Sequence, residues 1–448
     1  MREPDVVVVG GGPAGIGAAL AAAESGQSVV LVDEHERPAG QYFKGPDGSS
    51  KGSQRIQHLR AELARLGVDV VSRGLVWGIF EGRDVMVVHD GASEHLRPSA
   101  IVLATGAYDR PVPFAGWTLP GVMTAGAAQT LVKAYAVLPG RKVVLAGAGP
   151  FLLPVATQLA EAGAEVMLVE ATPARAWLGL APAAARVPEL VREGLGYARA
   201  LRRLGVTRLS RHKLVRAEGA ETVERAVIAK VDGDWRALPG SERSLDVDAV
   251  AIGYGFLPSV ELAESCGCAL RFDDDAQAWF VAVGESMETS VPRVYAAGEI
   301  TGIAGNVVSF WEGRVAGASA AGNEELATEA RKQLGPRHRF ARALGHAFRP
   351  RPGLWEGTAD DVVVCRCEEV TAGEIRTRIA GGCASPKALK DWTRAGMGLC
   401  QGRMCGSTIG RLLAEGTEKP LVEVPRGSVR PPVKPVPIHV LAGTEVPS

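Results

Sequence analysis

The first thirty-odd residues, DVVVVGGGPAGIGAALAAAESGQSVVLVDE, constrain the fold more tightly than any other part of the chain. An apolar run ends in Gly10-x-Gly12-x-x-Gly15, a helix of small residues follows, and a second apolar run ends on Asp33. Strand, glycine turn, helix, strand and terminal acid in this register specify a βαβ unit that holds a dinucleotide, and with it a parallel sheet. Gly10 permits the tight turn, Gly12 lets the backbone approach a pyrophosphate, and Gly15 lets helix and strand pack closely. Pro13 and Ala14 begin the helix, whose N-terminus faces the anion. Asp33 is expected to hold the ribose hydroxyls, with Glu34 and Gln41 nearby on the same ligand.

The segment RKVVLAGAGPFLLPVATQLAEAGAEVMLVEA repeats the pattern with Gly147, Gly149, Pro150 and a terminal acid, Glu170. Its third glycine is replaced by Leu152, which is expected to push the helix off the strand or crowd a bound nucleotide. Two readings stand: a working NADH site, or a nucleotide-shaped domain that holds an adenine nucleotide or nothing. Glu170 disfavours a 2′-phosphate, and so NADPH.

Near the other end, VVVCRCEEVTAGEI and GMGLCQGRMCGSTIG place Cys365, Cys367, Cys400 and Cys405 in two tight pairs. Four thiolates suit either a closed zinc shell or an iron–sulfur centre. The glycines around them let the backbone wrap a compact inorganic core and aim amides at its sulfurs. Zinc carries no electrons, so a redox body favours the [2Fe–2S] reading. The pattern resembles the small [2Fe–2S] domain of bacterioferritin-associated ferredoxin.

Two further segments, IVLATGAYDRPVPFAGW and VPRVYAAGEITGIAGNVVSFWEGRVAGASAA, resemble turns of the two-dinucleotide-fold flavoprotein family. That resemblance implies FAD in the first unit, with Ala104, Thr105 and Gly106 beside it and Gly298 and Glu299 at its ribityl-phosphate portion. The family usually has Asp where this chain has Glu299. Disulfide reductases of the family carry a redox cysteine pair soon after the first unit, but GQYFKGPDGSSKG, from Gly40 to Gly52, has none. Thiol transfer is therefore excluded.

The implied architecture is α/β: a split Rossmann-type FAD domain (1–108 and 245–325) with an inserted second nucleotide-binding-type domain (109–244). A basic linker (326–358), a small mainly helical [2Fe–2S] domain (359–418) and a proline-rich tail (419–448) follow. The tail cannot fold alone, so it is expected to be mobile or to strap onto a neighbouring surface.

Seven cysteines in 448 residues, with no apolar leader and no long apolar run, lead to the expectation of a soluble protein in a reducing compartment, the cytoplasm by default. The formal net charge is zero but unevenly spread: residues 331–448 hold 19 Lys/Arg against 11 Asp/Glu, so this part should attract the acidic remainder. The basic stretch Arg331 to Arg351 comes with no nucleic-acid motif and reads as a linker across the acidic body or a docking surface. Cys266, Cys268 and Cys383 read as packing residues. The histidines fall in no catalytic arrangement, and no catalytic residue can be assigned.

With GAGPFLLPVA, AAGEITGIAG and the cluster domain, the stretch ATGAYDRPVPFAGWTLPGVMTAGAAQTLVK is similar to the α (A) subunits of opine oxidases, dye-linked proline and hydroxyproline dehydrogenases, and hydrogen cyanide synthase. The likeness runs over about residues 4–440. It implies assembly with an amino-acid-oxidase-type β subunit that carries its own FAD and oxidises the C–N bond. It also allows a further small subunit, and an FMN where subunits meet. This chain would then pass electrons through FAD and the cluster to an external acceptor. A stand-alone NADH-dependent reductase and a nucleotide-stabilised scaffold are the rival expectations.

Overall fold

The computed structural model describes residues 1–45, 51–80 and 83–442. Part of the Gly40 to Gly52 stretch and the last six residues of the tail lie outside these.

Two parallel five-stranded sheets carry the body. In the first, Val294–Ala296, Ala100–Leu103, Val6–Val9, Val29–Asp33 and Asp69–Ser72 lie side by side in that order. The continuous VVVV of the central strand is buried at every position, as a parallel strand covered on both faces requires. Helix Pro13–Glu24, built mostly from small residues, lies against helix Asn306–Ala320, which approaches it at Gly313 and Gly317. A Cβ on Gly313 would stand 1.9 Å from the Ala14 carbonyl oxygen, so the late helix can approach the nucleotide helix only because that position lacks a side chain.

The second sheet runs Thr207–Ser210, Glu165–Glu170, Lys142–Gly147, Ala249–Gly253 and Val122–Thr124. Strand Ala249–Gly253 pairs with Lys142–Gly147, so the second domain extends past the expected boundary at 244. Its apolar sequence suits either core, and only its pairing assigns it. The short strands Ala107–Asp109 and Phe256–Pro258 pair where the chain passes between the two domains.

The segment expected as a linker is largely helical. Glu324–Lys332 packs on Asn306–Ala320, and Gly335–Ala347 lies across the body. Arg337 pairs with Glu189 at 2.9 Å, while His346 and Arg349 both face Asp275. The basic stretch thus meets acidic residues of the body, as the charge division implied.

A small domain then builds its own core from Val364, Ile375, Ile379, Leu389, Ile409, Leu412 and Leu413. Its helix Ala372–Ala380 starts on a capping box between Thr371 and Glu374. The domain is held to the body by Trp117 Nε1, which donates to the Val363 carbonyl at 2.6 Å, and by the Arg403–Glu261 pair at 3.2 Å. The described part of the tail is a strap. Val433 is buried in the core under the first sheet and donates its N–H to the Trp77 carbonyl, and Lys434 pairs with Glu34.

Candidate flavin and cluster sites

One cavity of about 1710 Å³ runs between the two dinucleotide folds. Ordinary small-molecule sites occupy roughly 300–1,000 Å³, so this one has room for a dinucleotide. Gly10, Gly12, Pro13, Ala14, Asp33, Glu34, Gln41, Ala104, Thr105, Gly106 and Glu299 all line it. Gly15 and Gly298 stand behind its wall; a Cβ on Gly298 would come within 2.8 Å of the Ala14 side chain.

The first glycine loop has the form an anion requires. Helix Pro13–Glu24 begins at Gly12 with no side chain capping it, so its first amides face the cavity. Asp33 braces the loop: one carboxylate oxygen accepts from Gly11 N–H, and the other from His35 N–H at 2.7 Å. A carboxylate has about four lone-pair positions, so acceptor capacity remains for ribose hydroxyls. Glu299 turns toward the start of the late helix and accepts from Gly305 N–H at 2.8 Å. Burial, together with neighbouring Glu312, pushes its carboxyl up to about 7. Glu312 in turn accepts from Gly298 N–H, from the Thr301 hydroxyl and from His338 of the basic helix.

The second loop differs. Helix Leu152–Glu161 starts two residues later than its counterpart, because Leu152 and Leu153 spend their N–H groups on Gly149 and Pro150 carbonyls at 3.3 and 3.1 Å. These are short 3₁₀ contacts; the one at Leu152 withdraws a donor, while Leu153 has its counterpart in Ile16, which already donates to the Gly12 carbonyl in the first loop. Leu152 itself neither holds the helix off the sheet nor crowds a nucleotide. Its side chain is 1 % exposed within the sheet core, and Gly253 opposite leaves the room it needs: a Cβ there would meet Leu152 Cδ2 at 2.9 Å. Glu170 is buried and paired with Arg208. Arg208 lies over Trp177, Trp177 meets Phe348 edge-on at 4.8 Å, and Phe348 rests against Gly149. Gly149 and Pro150 reach the large cavity, whereas Gly147 and Glu170 do not. NADH is therefore expected to reduce the bound flavin slowly. Rapid bleaching of the flavin absorption band in a stopped-flow mixture with NADH would show that the second site works.

The four cysteines come together from two separated segments. Cys365 ends strand Val363–Cys365, Cys367 follows in a turn, and Cys400 and Cys405 flank the loop before helix Gly406–Gly416. Cys365 meets Cys405, and Cys367 meets Cys400. Hydrogen bonding from Cys405, then from the amides of Gly396, Glu368 and Cys367, pulls the Cys365 thiol down to about 5 despite its burial. Contact with that sulfur and burial push Cys405 up, and burial pushes Cys400 up. Among the described residues, no three His, Cys, Asp or Glu side chains are close enough together to hold one metal ion. Two cysteine pairs side by side suit a binuclear cluster with two ligands per iron better than a single tetrahedral zinc. Cys365 and Cys405 form the buried end of the site, and Cys367 the exposed end. Cys268 packs in the body core with Cys266 against it, and Cys383 packs against the core of the small domain.

A smaller cavity of about 210 Å³ touches Cys405 and shares Tyr108, Arg110, Glu261 and Arg403 with the flavin cavity, so the two sites are separated by a common wall. The sequence marks none of these four as a site residue by motif. Arg110 had a visible signal, lying in DRPVPF directly after the Ala-Thr-Gly turn.

A dinucleotide cavity between two Rossmann-type folds, walled against a four-cysteine domain, defines an FAD- and iron–sulfur-containing oxidoreductase. The family described as pyridine nucleotide-disulphide oxidoreductase matches residues 4–333, and the BFD-like [2Fe-2S] binding domain matches residues 363–415. The A subunit of opine oxidase from Agrobacterium tumefaciens (strain Ach5) is 34% identical over 98% of this chain and 91% of its own length. The HcnB subunit of hydrogen cyanide synthase from Pseudomonas protegens is 32% identical over 96% of each. Among solved structures, L-proline dehydrogenase from P. horikoshii superposes with a TM-score of 0.72 at 23% identity, over 98% of this chain and 79% of that one. The chain belongs to the pyridine nucleotide-disulphide oxidoreductase family, in the group of the opine oxidase A subunits and HcnB. It is an FAD/iron–sulfur dehydrogenase subunit, with FAD and a [2Fe–2S] cluster as its cofactors. No helix among the described residues is long and apolar enough to cross a membrane.

Proposed function

We propose that this chain is the electron-handling subunit of a hetero-oligomeric cytoplasmic dehydrogenase or oxidase of secondary amines or amino acids, of the opine, proline or hydroxyproline type. Electrons taken from the substrate on an FAD-containing, amino-acid-oxidase-type β subunit pass through this chain's FAD and cluster to an external acceptor. The observation that carries this reading is the placement of the cysteines: the buried Cys405 lines the small cavity that adjoins the flavin cavity, and Cys367 is exposed. Leu399, Met397 and Trp392, all exposed, lie in the same small domain and offer an apolar surface for a protein partner. The relatives named as subunits of opine oxidase, hydrogen cyanide synthase and sarcosine oxidase support a partnered enzyme of amino compounds.

The chain's own residues bind and position. The Gly10–Gly15 loop and its helix N-terminus hold the FAD pyrophosphate, and Asp33 takes the ribose. Ala104, Thr105, Gly106 and Glu299 line the remainder of the pocket, while Lys434 neutralises Glu34 at its rim. No constellation is assigned to binding an amino acid, so the chain alone is expected to give no substrate-dependent dye reduction with proline, hydroxyproline, opines or glycine. Mixing it with the partner should restore turnover. Robust turnover by this chain alone would move the catalytic site onto its own FAD and end the proposal.

A further inference from the structure

We propose that the tail completes the FAD site: Val433 and Lys434 close the large cavity at the adenosine end of the ligand and hold the cofactor in. Both residues line that cavity, together with Asp33, Glu34, His35 and Leu75. The Gly10–Gly15 loop holds the pyrophosphate and Asp33 the ribose, so the part of the cavity around Glu34 and His35 receives the adenosine. The glycine motif asks for no residue from the tail, yet Lys434 reaches this rim from 400 positions away.

The seat of the segment is built into the body. Strand Leu75–Phe80 pairs with Asp84–His89, but its register skips at Trp77, and the Trp77 carbonyl accepts from the Val433 N–H at 2.9 Å. Gly78, next along, leaves room for Pro431, since a Cβ there would stand 3.1 Å from the Pro431 Cβ. The Val433 side chain is 5 % exposed and packs in the core under the first sheet, which gives the segment an apolar anchor. Lys434 then pairs with Glu34, the residue directly after the ribose acid.

A second anchor comes from the cluster domain. Arg403, between Cys400 and Cys405, donates to the Val433 carbonyl at 3.2 Å and to the Cys400 carbonyl at 3.3 Å, and it pairs with Glu261 of the body at 3.2 Å. One side chain thus fixes the tail, the cysteine loop and the body at a single point, and it too lines the flavin cavity. An irregular segment gives up backbone freedom to sit in one place, and these contacts offset that cost. The adenosine half of a bound FAD leaves only when the segment lifts.

The test follows FAD leaving the holoprotein, diluted at low ionic strength into excess ADP to prevent rebinding, by the rise in free-flavin fluorescence. Val433→Asp puts a charge where an apolar side chain is buried and should speed release about tenfold or more. Lys434→Glu is exposed, faces Glu34 and should speed release about threefold, while Lys434→Arg should keep the wild-type rate. Iron and sulfide contents should be unchanged in all three. A tail with a packing role alone would lower Tm and leave release unchanged. If Val433→Asp does not fold, Lys434→Glu decides, and a wild-type release rate in Lys434→Glu overturns the assignment. The inference rests on FAD occupying the first glycine loop, which the flavin content of Gly15→Val checks separately.

Discussion

Cys405→Ser is expected to abolish the visible absorption of the cluster, together with its iron and acid-labile sulfide, while the protein still purifies with FAD. Cys405 is fully buried, meets Cys365 and begins the helix Gly406–Gly416, so its thiolate cannot be replaced by water or by another side chain. A serine hydroxyl is a poor thiolate substitute. Even loss of an outer-shell partner costs a metal site roughly 10–100-fold, so loss of a ligand should lower electron delivery to a one-electron acceptor by roughly a hundredfold or more. The flavin should stay, because the residues lining its cavity lie almost entirely in the body, whose cores are separate from that of the small domain. Cys266→Ser is the control, since Cys266 packs in the body, and it should keep the full spectrum. Retention of iron and sulfide in Cys405→Ser would remove this residue from the cluster.

Gly15→Val should have the converse effect, leaving the cluster spectrum and removing FAD. A Cβ at this position would stand 1.7 Å from the Gly10 carbonyl oxygen, and that oxygen belongs to the loop that must hold the pyrophosphate. The clash is with backbone, so no rotamer relieves it. Overpacking of about 3 kcal/mol corresponds to a site weakened by roughly a hundredfold. Flavin-to-protein ratios by absorbance after gel filtration measure it, with the iron content as an internal control for folding. A stoichiometric flavin in Gly15→Val would mean that the ligand does not depend on this loop.

Much of the molecule was legible in the sequence where the physical requirement is local. Gly15 is dictated by a contact inside its own loop, with the Gly10 carbonyl, and the alternation of apolar runs with a small-residue helix permits little but a βαβ unit. The two cysteine pairs announce a four-thiolate centre for the same reason, because each pair is held by its own tight turn.

What the tertiary structure decided depends on residues distant in sequence. Glu170 has the position and chemistry of a ribose ligand, yet it is taken by Arg208, thirty-eight residues on. Leu152 reads as an obstruction until the strand Ala249–Gly253 brings Gly253 opposite it and makes it a core residue. Lys434 closes on Glu34 from 400 residues away, so a proline-rich tail with no core of its own is ordered by a surface it meets only after the body has folded. Periodicity and spacing report what a segment requires of its neighbours in sequence; charge pairing, shared walls and the space opposite a side chain are set by packing between segments, and so were decided only by the assembled fold.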